Sequence, residues 1–215
     1  MHHDELLAKL TREAETTLPP SLAILLECAY ESENNPDAAQ FLLGAVEKFR
    51  KCAEKGLPLR GENAAGEVYT RELAGDTMLV GIVSSETMER ELVMNSESVP
   101  PSHEFDALVA ETLLLDDVAA MCPMVVGVGV ADTREDAMAL AREALFRSAD
   151  TASDDAELAL AEKRILARLN AAGPGAGGFG GRRTALSVAI EKRGAGYIAI
   201  SPGDYFTSWA KGKLS

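Results

Sequence analysis

Apolar residues in the first part of the chain recur at helical spacing. Between the start signal Asn35-Pro36 and the stop signal Gly56-Leu57-Pro58, they lie three or four positions apart. This spacing predicts an amphipathic helix, and the same rules predict an earlier helix over about 20–31. The first part of the chain, 1–58, is therefore expected to be helical.

Beyond residue 58 the pattern changes to short apolar runs that are separated by polar turns, which predicts strands. The predicted strands cover 68–70, 78–83, 91–94, 124–130, 184–190 and 197–201. Amphipathic helices are predicted between them, over 105–115, from a cap at Thr133 to 145, and over 158–169. We predict one α+β domain over 1–215, in which a helical segment, 1–58, packs on the mixed β-sheet and amphipathic helices of 59–215.

The net charge of the chain limits the kinds of molecule that it can bind. The chain has 34 acidic and 21 basic side chains, for a net charge of -13. This charge repels phosphate backbones and anionic lipid head groups, and no basic patch offsets it. No apolar stretch is as long as a membrane span, because Asp116 and Asp117 interrupt 112–130, and His2-His3-Asp4-Glu5 is not a basic signal-peptide start. We expect a cytoplasmic protein that binds neither nucleic acid nor membrane.

The least ordinary stretch is the glycine-rich segment 173–184, GPGAGGFGGRRT. It contains the G-x-G-x-x-G spacing, but a helix is predicted before it and a strand after it. A dinucleotide-binding turn has the reverse order, so we reject that function. The glycines still allow backbone N–H groups to approach an anion, and Arg182 or Arg183 offers a fork for a carboxylate. The residues themselves favour a turned surface loop over a ligand site, and both interpretations stay open.

A second glycine pair lies in Gly127-Val128-Gly129-Val130-Ala131-Asp132, after a predicted strand and before a helix. Asp132 stands where a phosphate-binding turn has its third glycine. A carboxylate there competes with bound phosphate for the helix N-terminus. We therefore expect Asp132 to stabilise the helix rather than to border a phosphate site.

The three cysteines, Cys28, Cys52 and Cys122, are odd in number and widely spaced, which argues against a disulfide framework. Cys122-Pro123 precedes a predicted buried strand, where a thiolate suits a metal or an iron–sulfur cluster. Cys28 and Cys52 lie on the apolar faces of predicted helices. Small buried cysteines are common in cores, so a core position is an equally good interpretation of all three.

Several blocks of sequence, taken in order, match a known family. The blocks are 18–20 (LPP), 35–36 (NP), 53–58 (AEKGLP), 122–130 (CPMVVGVGV), 141–147 (AREALFR) and 175–188 (GAGGFGGRRTALSV). In this combination the chain resembles the α subunit, or N-terminal half, of the class I iron–sulfur hydro-lyases, the fumarase and tartrate dehydratase family. The resemblance covers nearly the whole chain and implies a divergent member with a fumarase class I α-domain-like fold.

The resemblance implies a four-iron four-sulfur cluster that is held by three cysteines, and the reversible addition of water to a small unsaturated dicarboxylate. It also implies a β-type partner that supplies much of the substrate contact. Cys122 matches one cluster cysteine, whereas Arg60 and Tyr197 stand at the other two positions. Arg182 takes the place of the family's lysine in the glycine-rich segment and keeps its positive charge.

One thiolate cannot hold a cubane cluster, which needs three or four soft ligands. Our preferred hypothesis is a catalytically impaired relative without a cofactor, a homo-oligomer that keeps a carboxylate-binding or assembly role. Its expected substrate contacts are Arg182, Arg60, Gly178, Gly180 and Gly181. The alternative is an active iron–sulfur hydro-lyase subunit that uses Cys122 and works with a β-type partner. A self-associating scaffold is a third hypothesis.

Overall fold

The computed structural model describes residues 3–19, 21–32, 34–60, 66–84, 90–115 and 121–213. Some sequence features that were used above fall elsewhere. His2, Pro20, Asp116 and Asp117 lie outside the described residues.

The described helices include the expected ones and one more. They are α1 (His3–Thr16), α2 (Ser21–Glu31), α3 (Pro36–Lys55), α4 (His103–Leu115), α5 (Arg134–Leu145) and α6 (Ala156–Ala172). The predicted ends of α3 are confirmed, since Asn35 caps its start and Gly56 adopts a left-handed conformation (φ 62°) after its last residue. Sequence analysis expected 1–58 to be helical but predicted no separate helix for α1, although its buried residues Leu6, Leu10 and Ala14 follow one another at intervals of four.

The described strands form two sheets. They are β1 (Gly66–Leu73), β2 (Thr77–Ser84), β3 (Leu92–Ser96), β4 (Met124–Ala131), β5 (Ala185–Arg193), β6 (Gly196–Gly203) and β7 (Ser208–Lys213). One sheet is antiparallel, in the order β1-β2-β7. The other is mixed, in the order β3-β6-β4-β5, with β4 and β5 parallel. The α+β class is confirmed, but the described strands divide between two sheets, and β7 was not predicted.

The helices cover the apolar faces of both sheets. On one face of the mixed sheet, Val126, Val128 and Val130 of β4 share a core with α4 and α6. On the other face, α5 packs on β4 and β6. Strand β2 is buried on both sides, against α1 and against a cluster that includes α2 and α3. No described helix has the length and the apolar composition that crossing a bilayer requires.

The glycine pair of β4 brings α5 close to the sheet. A Cβ atom at Gly127 would lie 2.0 Å from the Ala141 carbonyl oxygen, and one at Gly129 would lie 2.0 Å from that of Ala137. The cap of α5 is Thr133, as predicted. Asp132 instead accepts a 2.9 Å hydrogen bond from the Ala195 N–H in the β5–β6 turn. Close packing of the helix on the strand therefore explains the glycines.

Candidate functional site

The glycine-rich loop is ordered by its own hydrogen bonds. The N–H groups of Gly178 and Gly180 donate to carbonyls at the start of the loop, over 3.1 and 2.9 Å. The N–H of Gly177 donates to the Cys122 carbonyl over 2.9 Å. Two of the three glycines that sequence analysis assigned to substrate thus have N–H groups that are already engaged. Gly181 donates no hydrogen bond within the described part of the chain.

Glycine is required where this loop closes on itself. Gly175 has a positive φ of 73°, and a Cβ atom there would lie 2.0 Å from the Gly180 carbonyl oxygen. Its N–H donates to Thr184 Oγ1 over 3.1 Å. These contacts hold the start of the loop against its end, so Gly181 and the two arginines that follow it leave the loop from an ordered base.

Arg182 and Arg183 are adjacent in sequence but differ in their ion pairing. Arg182 is exposed and has no ion pair or hydrogen bond to any residue that the structure describes. Arg183 makes a bidentate pair with Glu31 at the end of α2, with both N–O distances 2.9 Å. Two surface cavities, of about 730 and 380 Å³, share Glu31, Gly181, Arg182 and Arg183 in their lining. Arg182 thus offers an uncommitted guanidinium to both cavities.

Two asparagines hold the segment that carries these arginines, and sequence analysis missed both roles. Asn170, near the end of α6, accepts from the N–H groups of Thr184 and Ala185 over 2.8 Å and donates to the Ala185 carbonyl over 3.1 Å. Asn35 donates to the Phe179 carbonyl over 2.9 Å, in addition to capping α3. A single asparagine gives no signal of such a contact, because its partners are distant in sequence.

Arg60 is engaged elsewhere. Its guanidinium makes a bidentate pair with Asp204, at 2.8 and 3.1 Å, and lies over the Phe206 ring with its Cζ 5.7 Å from the ring centroid. The two charged side chains are only 11% and 15% exposed. Arg60 borders a separate cavity of about 110 Å³ with Glu15 and other residues. The structure therefore does not bring Arg60 into the cavities that Arg182 lines.

The positions that the resemblance matched to cluster cysteines do not converge. Cys122 precedes β4, whereas Tyr197 pairs with Ala131, the last residue of β4. The two therefore lie at opposite ends of a strand that is about 25 Å long. Gly203 of β6 lies opposite Val125, near the Cys122 end. The residue that follows β6 at that end is Asp204, which Arg60 binds.

The described donors do not fit the cluster that the resemblance implies. Cys122 is fully buried, and burial raises the pKa of its thiol to about 12. Burial likewise raises the pKa of Cys28 to about 11, and this residue lies in a different apolar cluster. Among the described residues there is no group of three or more His, Cys, Asp or Glu side chains that could hold a metal ion. A cubane cluster needs three or four converging ligands, so we derive no chemistry through one.

Comparison with known proteins supports the family. The chain is 26% identical over 271 aligned positions to a protein named putative L(+)-tartrate dehydratase subunit alpha from Methanocaldococcus jannaschii. That alignment covers 98% of this chain and 95% of the relative. The family model for fumarate hydratase (Fumerase) matches residues 78–201, which include Cys122, the glycine pair of β4 and the glycine-rich loop. Because this match covers more than half of the chain, the protein belongs to the fumarate hydratase (Fumerase) family, as the resemblance predicted.

Proposed function

We propose that this chain is a divergent member of the fumarate hydratase family that binds a small carboxylate at Arg182 and holds no iron–sulfur cluster by itself. The observation that carries the proposal is the uncommitted guanidinium of Arg182 beside two cavities and an ordered glycine-rich loop. The other charged groups of these cavities, Glu31 and Arg183, neutralise one another. Arg182 is therefore the group that attracts an anion to this surface.

The chemistry of the guanidinium suits a carboxylate. Its planar N–H groups match the two oxygens of a carboxylate in a bidentate geometry, and such charge-assisted hydrogen bonds are stronger than neutral ones. The N–H of Gly181 adjoins this side chain and adds a donor. In a protein with a net charge of -13, an unpaired cation is needed to overcome the general repulsion of anions.

Catalysis by this chain alone is impaired in our proposal. Cys122 is the one residue that matches a cluster cysteine of the family, and Arg60, at the position of another, is paired with Asp204. An arginine cannot serve as an iron ligand, because its guanidinium remains protonated. The chain therefore keeps a binding role, and a hydration step requires groups that it does not supply.

A second chain completes the assembly in this proposal. The relative from Methanocaldococcus jannaschii is named as an alpha subunit, which favours a β-type partner for this chain as well. The same name favours a second candidate function, an active hydro-lyase subunit whose further cluster ligands come from that partner. The two candidates differ in whether iron and sulfide assemble on Cys122.

We expect Arg182→Gln to weaken the binding of fumarate, malate or tartrate by about ten-fold, because it removes a charge-assisted hydrogen bond. Isothermal titration calorimetry measures the Kd, and thermal shift checks it, since a ligand that binds the folded state raises Tm. Arg50→Gln, which replaces an exposed arginine of α3, is the matched control and keeps the wild-type Kd. An unchanged Kd in Arg182→Gln contradicts the carboxylate site.

We expect anaerobic reconstitution with iron and sulfide to leave the wild-type chain colourless, because its described donors do not form a cluster site. Iron content and the visible spectrum measure the result. Cys122→Ser and the half-buried Cys52→Ser are compared with the wild type, and all three proteins should have the same background iron. A brown protein that loses its cluster in Cys122→Ser but keeps it in Cys52→Ser supports the active hydro-lyase instead.

A further inference from the structure

The ion pair between Glu31 and Arg183 borders both cavities of the candidate site. Both of its residues line both cavities. The pair is bidentate, yet the Glu31 side chain is 50% exposed and that of Arg183 is 30% exposed. Exposed ion pairs are weak, since water solvates the separated charges well. An incoming carboxylate can therefore take the place of Glu31 on Arg183.

The position of Glu31 in α2 does not suit a residue that only stabilises its own helix. It is the last residue of α2, whose final turn contains no basic residue. The C-terminal end of a helix carries partial negative charge, so a carboxylate there is unfavourable unless a cation offsets it. Arg183, which is 152 positions away in sequence, provides that cation. The contact therefore neutralises the charge of Arg183, and capping of α2 does not by itself account for Glu31.

From these contacts we infer that Glu31 is an internal competitor that occupies Arg183 in place of a ligand carboxylate and so limits the affinity of the site. The inference rests on the proposed function and concerns the regulation of the same site. With Glu31 in place, Arg182 is the one cation among the described lining residues without an ion pair to another described residue. When Glu31 is displaced, Arg183 becomes a second carboxylate position beside the first. A ligand with two carboxylates gains from that displacement, whereas a ligand with one does not.

The test compares fumarate with crotonate, which replaces one of the two carboxylates with a methyl group. We expect Glu31→Gln to tighten fumarate binding by about five-fold, the upper range for release of an exposed ion pair. The Kd for crotonate should change by less than about two-fold. Calorimetry at one fixed ionic strength measures both values, because exposed charges are screened by salt. Glu27→Gln, one turn earlier on α2 and also exposed, removes the same charge and should leave both Kd values near those of the wild type.

A double variant separates competition from a general field effect. In Glu31→Gln/Arg183→Gln the gain for fumarate should disappear, because the released cation is absent. The inference is overturned if the double variant keeps the gain, if fumarate and crotonate gain equally, or if Glu31→Gln leaves the Kd for fumarate unchanged. Arg182→Gln distinguishes the two levels of the argument. If Arg182→Gln weakens fumarate binding by about ten-fold while Glu31→Gln leaves it unchanged, the carboxylate site stands and the competitor does not.

Discussion

Replacing Gly127 with alanine is expected to lower the free energy of unfolding by about 3 kcal/mol, the upper part of the usual cost of overpacking. The added methyl group would lie 2.0 Å from the Ala141 carbonyl oxygen and 2.5 Å from the Leu145 backbone nitrogen. Backbone atoms cannot rotate away as a side chain can, so α5 would have to move off β4. Urea denaturation with linear extrapolation measures the change.

Gly44→Ala is the matched control for this prediction. Gly44 lies in α3, is exposed, and has no atom within 4 Å of an added Cβ. Alanine is the better helix former, so this variant should gain about 0.5 to 1 kcal/mol. The close packing of α5 on β4 is contradicted if Gly127→Ala unfolds at the same urea concentration as the wild type. A change in the same direction in both variants would also contradict it.

The second large effect is expected at the pair between Arg60 and Asp204. Arg60→Met should lower the free energy of unfolding by about 3 kcal/mol, because it leaves the largely buried Asp204 carboxylate, 15% exposed, without its partner. Asp204→Asn should have a similar cost for the converse reason. Asparagine can still accept the 2.9 Å hydrogen bond from the Phe206 N–H, so that loss reports the charge pair rather than the turn.

A double-mutant cycle tests this pair directly. Arg60→Met/Asp204→Asn should cost less than the sum of the two single changes, because neither charge is then left alone. Arg193→Gln is the control. Its side chain is 61% exposed, and its Nη2 lies 3.5 Å from Glu143 Oε1 in a surface ion pair. It should change stability by no more than about 0.5 kcal/mol. Additive losses in the cycle, or a loss in Arg60→Met no larger than in the control, would contradict the buried pair.

The ion pair with Asp204 gives Arg60 a different role from the one that the sequence predicted. On sequence alone, Arg60 is a cation that can join Arg182 around one carboxylate. In the folded protein its charge is already balanced by a residue 144 positions away. Near the start of β4, which Cys122 precedes, the chain thus has a salt bridge beside the Phe206 ring. Its geometry suits structural stabilisation, which is why we base the carboxylate site on Arg182.

Most helices and strands were predicted from the sequence, because they depend on interactions between residues that are close along the chain. Helices α2 to α6 and strands β1 to β6 follow from spacing, capping and turn residues, which act within a few positions. The misses have physical reasons. Strand β7 includes Lys211, Gly212 and Lys213, which carry little strand signal, and it forms by pairing with β2. Helix α1 has a narrow apolar stripe that is buried against β2 and β7.

The sequence likewise predicted some features of the candidate site and not others. Sequence analysis identified the glycine-rich segment and its two arginines, because an accumulation of glycines before adjacent cations is visible in one dimension. A shortage of cluster ligands was also expected from the count of thiols, and it stays a prediction that iron and sulfide reconstitution tests. The residues alone left Arg182 and Arg183 as alternatives, and the family resemblance selected Arg182. The ion pair of Arg183 with Glu31 could not be predicted, because Glu31 belongs to a distant helix. Nor could sequence analysis tell that the N–H groups of Gly178 and Gly180 are engaged within the loop.

The sequence by itself determined the α+β class, the family and the number of thiols, since these depend on residue types and their order. Only the tertiary structure decided which cation is available to a ligand, which glycines serve packing, and that Tyr197 and Cys122 lie at opposite ends of β4. The ion pairs that decide this join residues more than 100 positions apart, as with Arg183 and Glu31. Their partners are set by how the sheets and helices pack, and a short-range pattern carries no record of that packing.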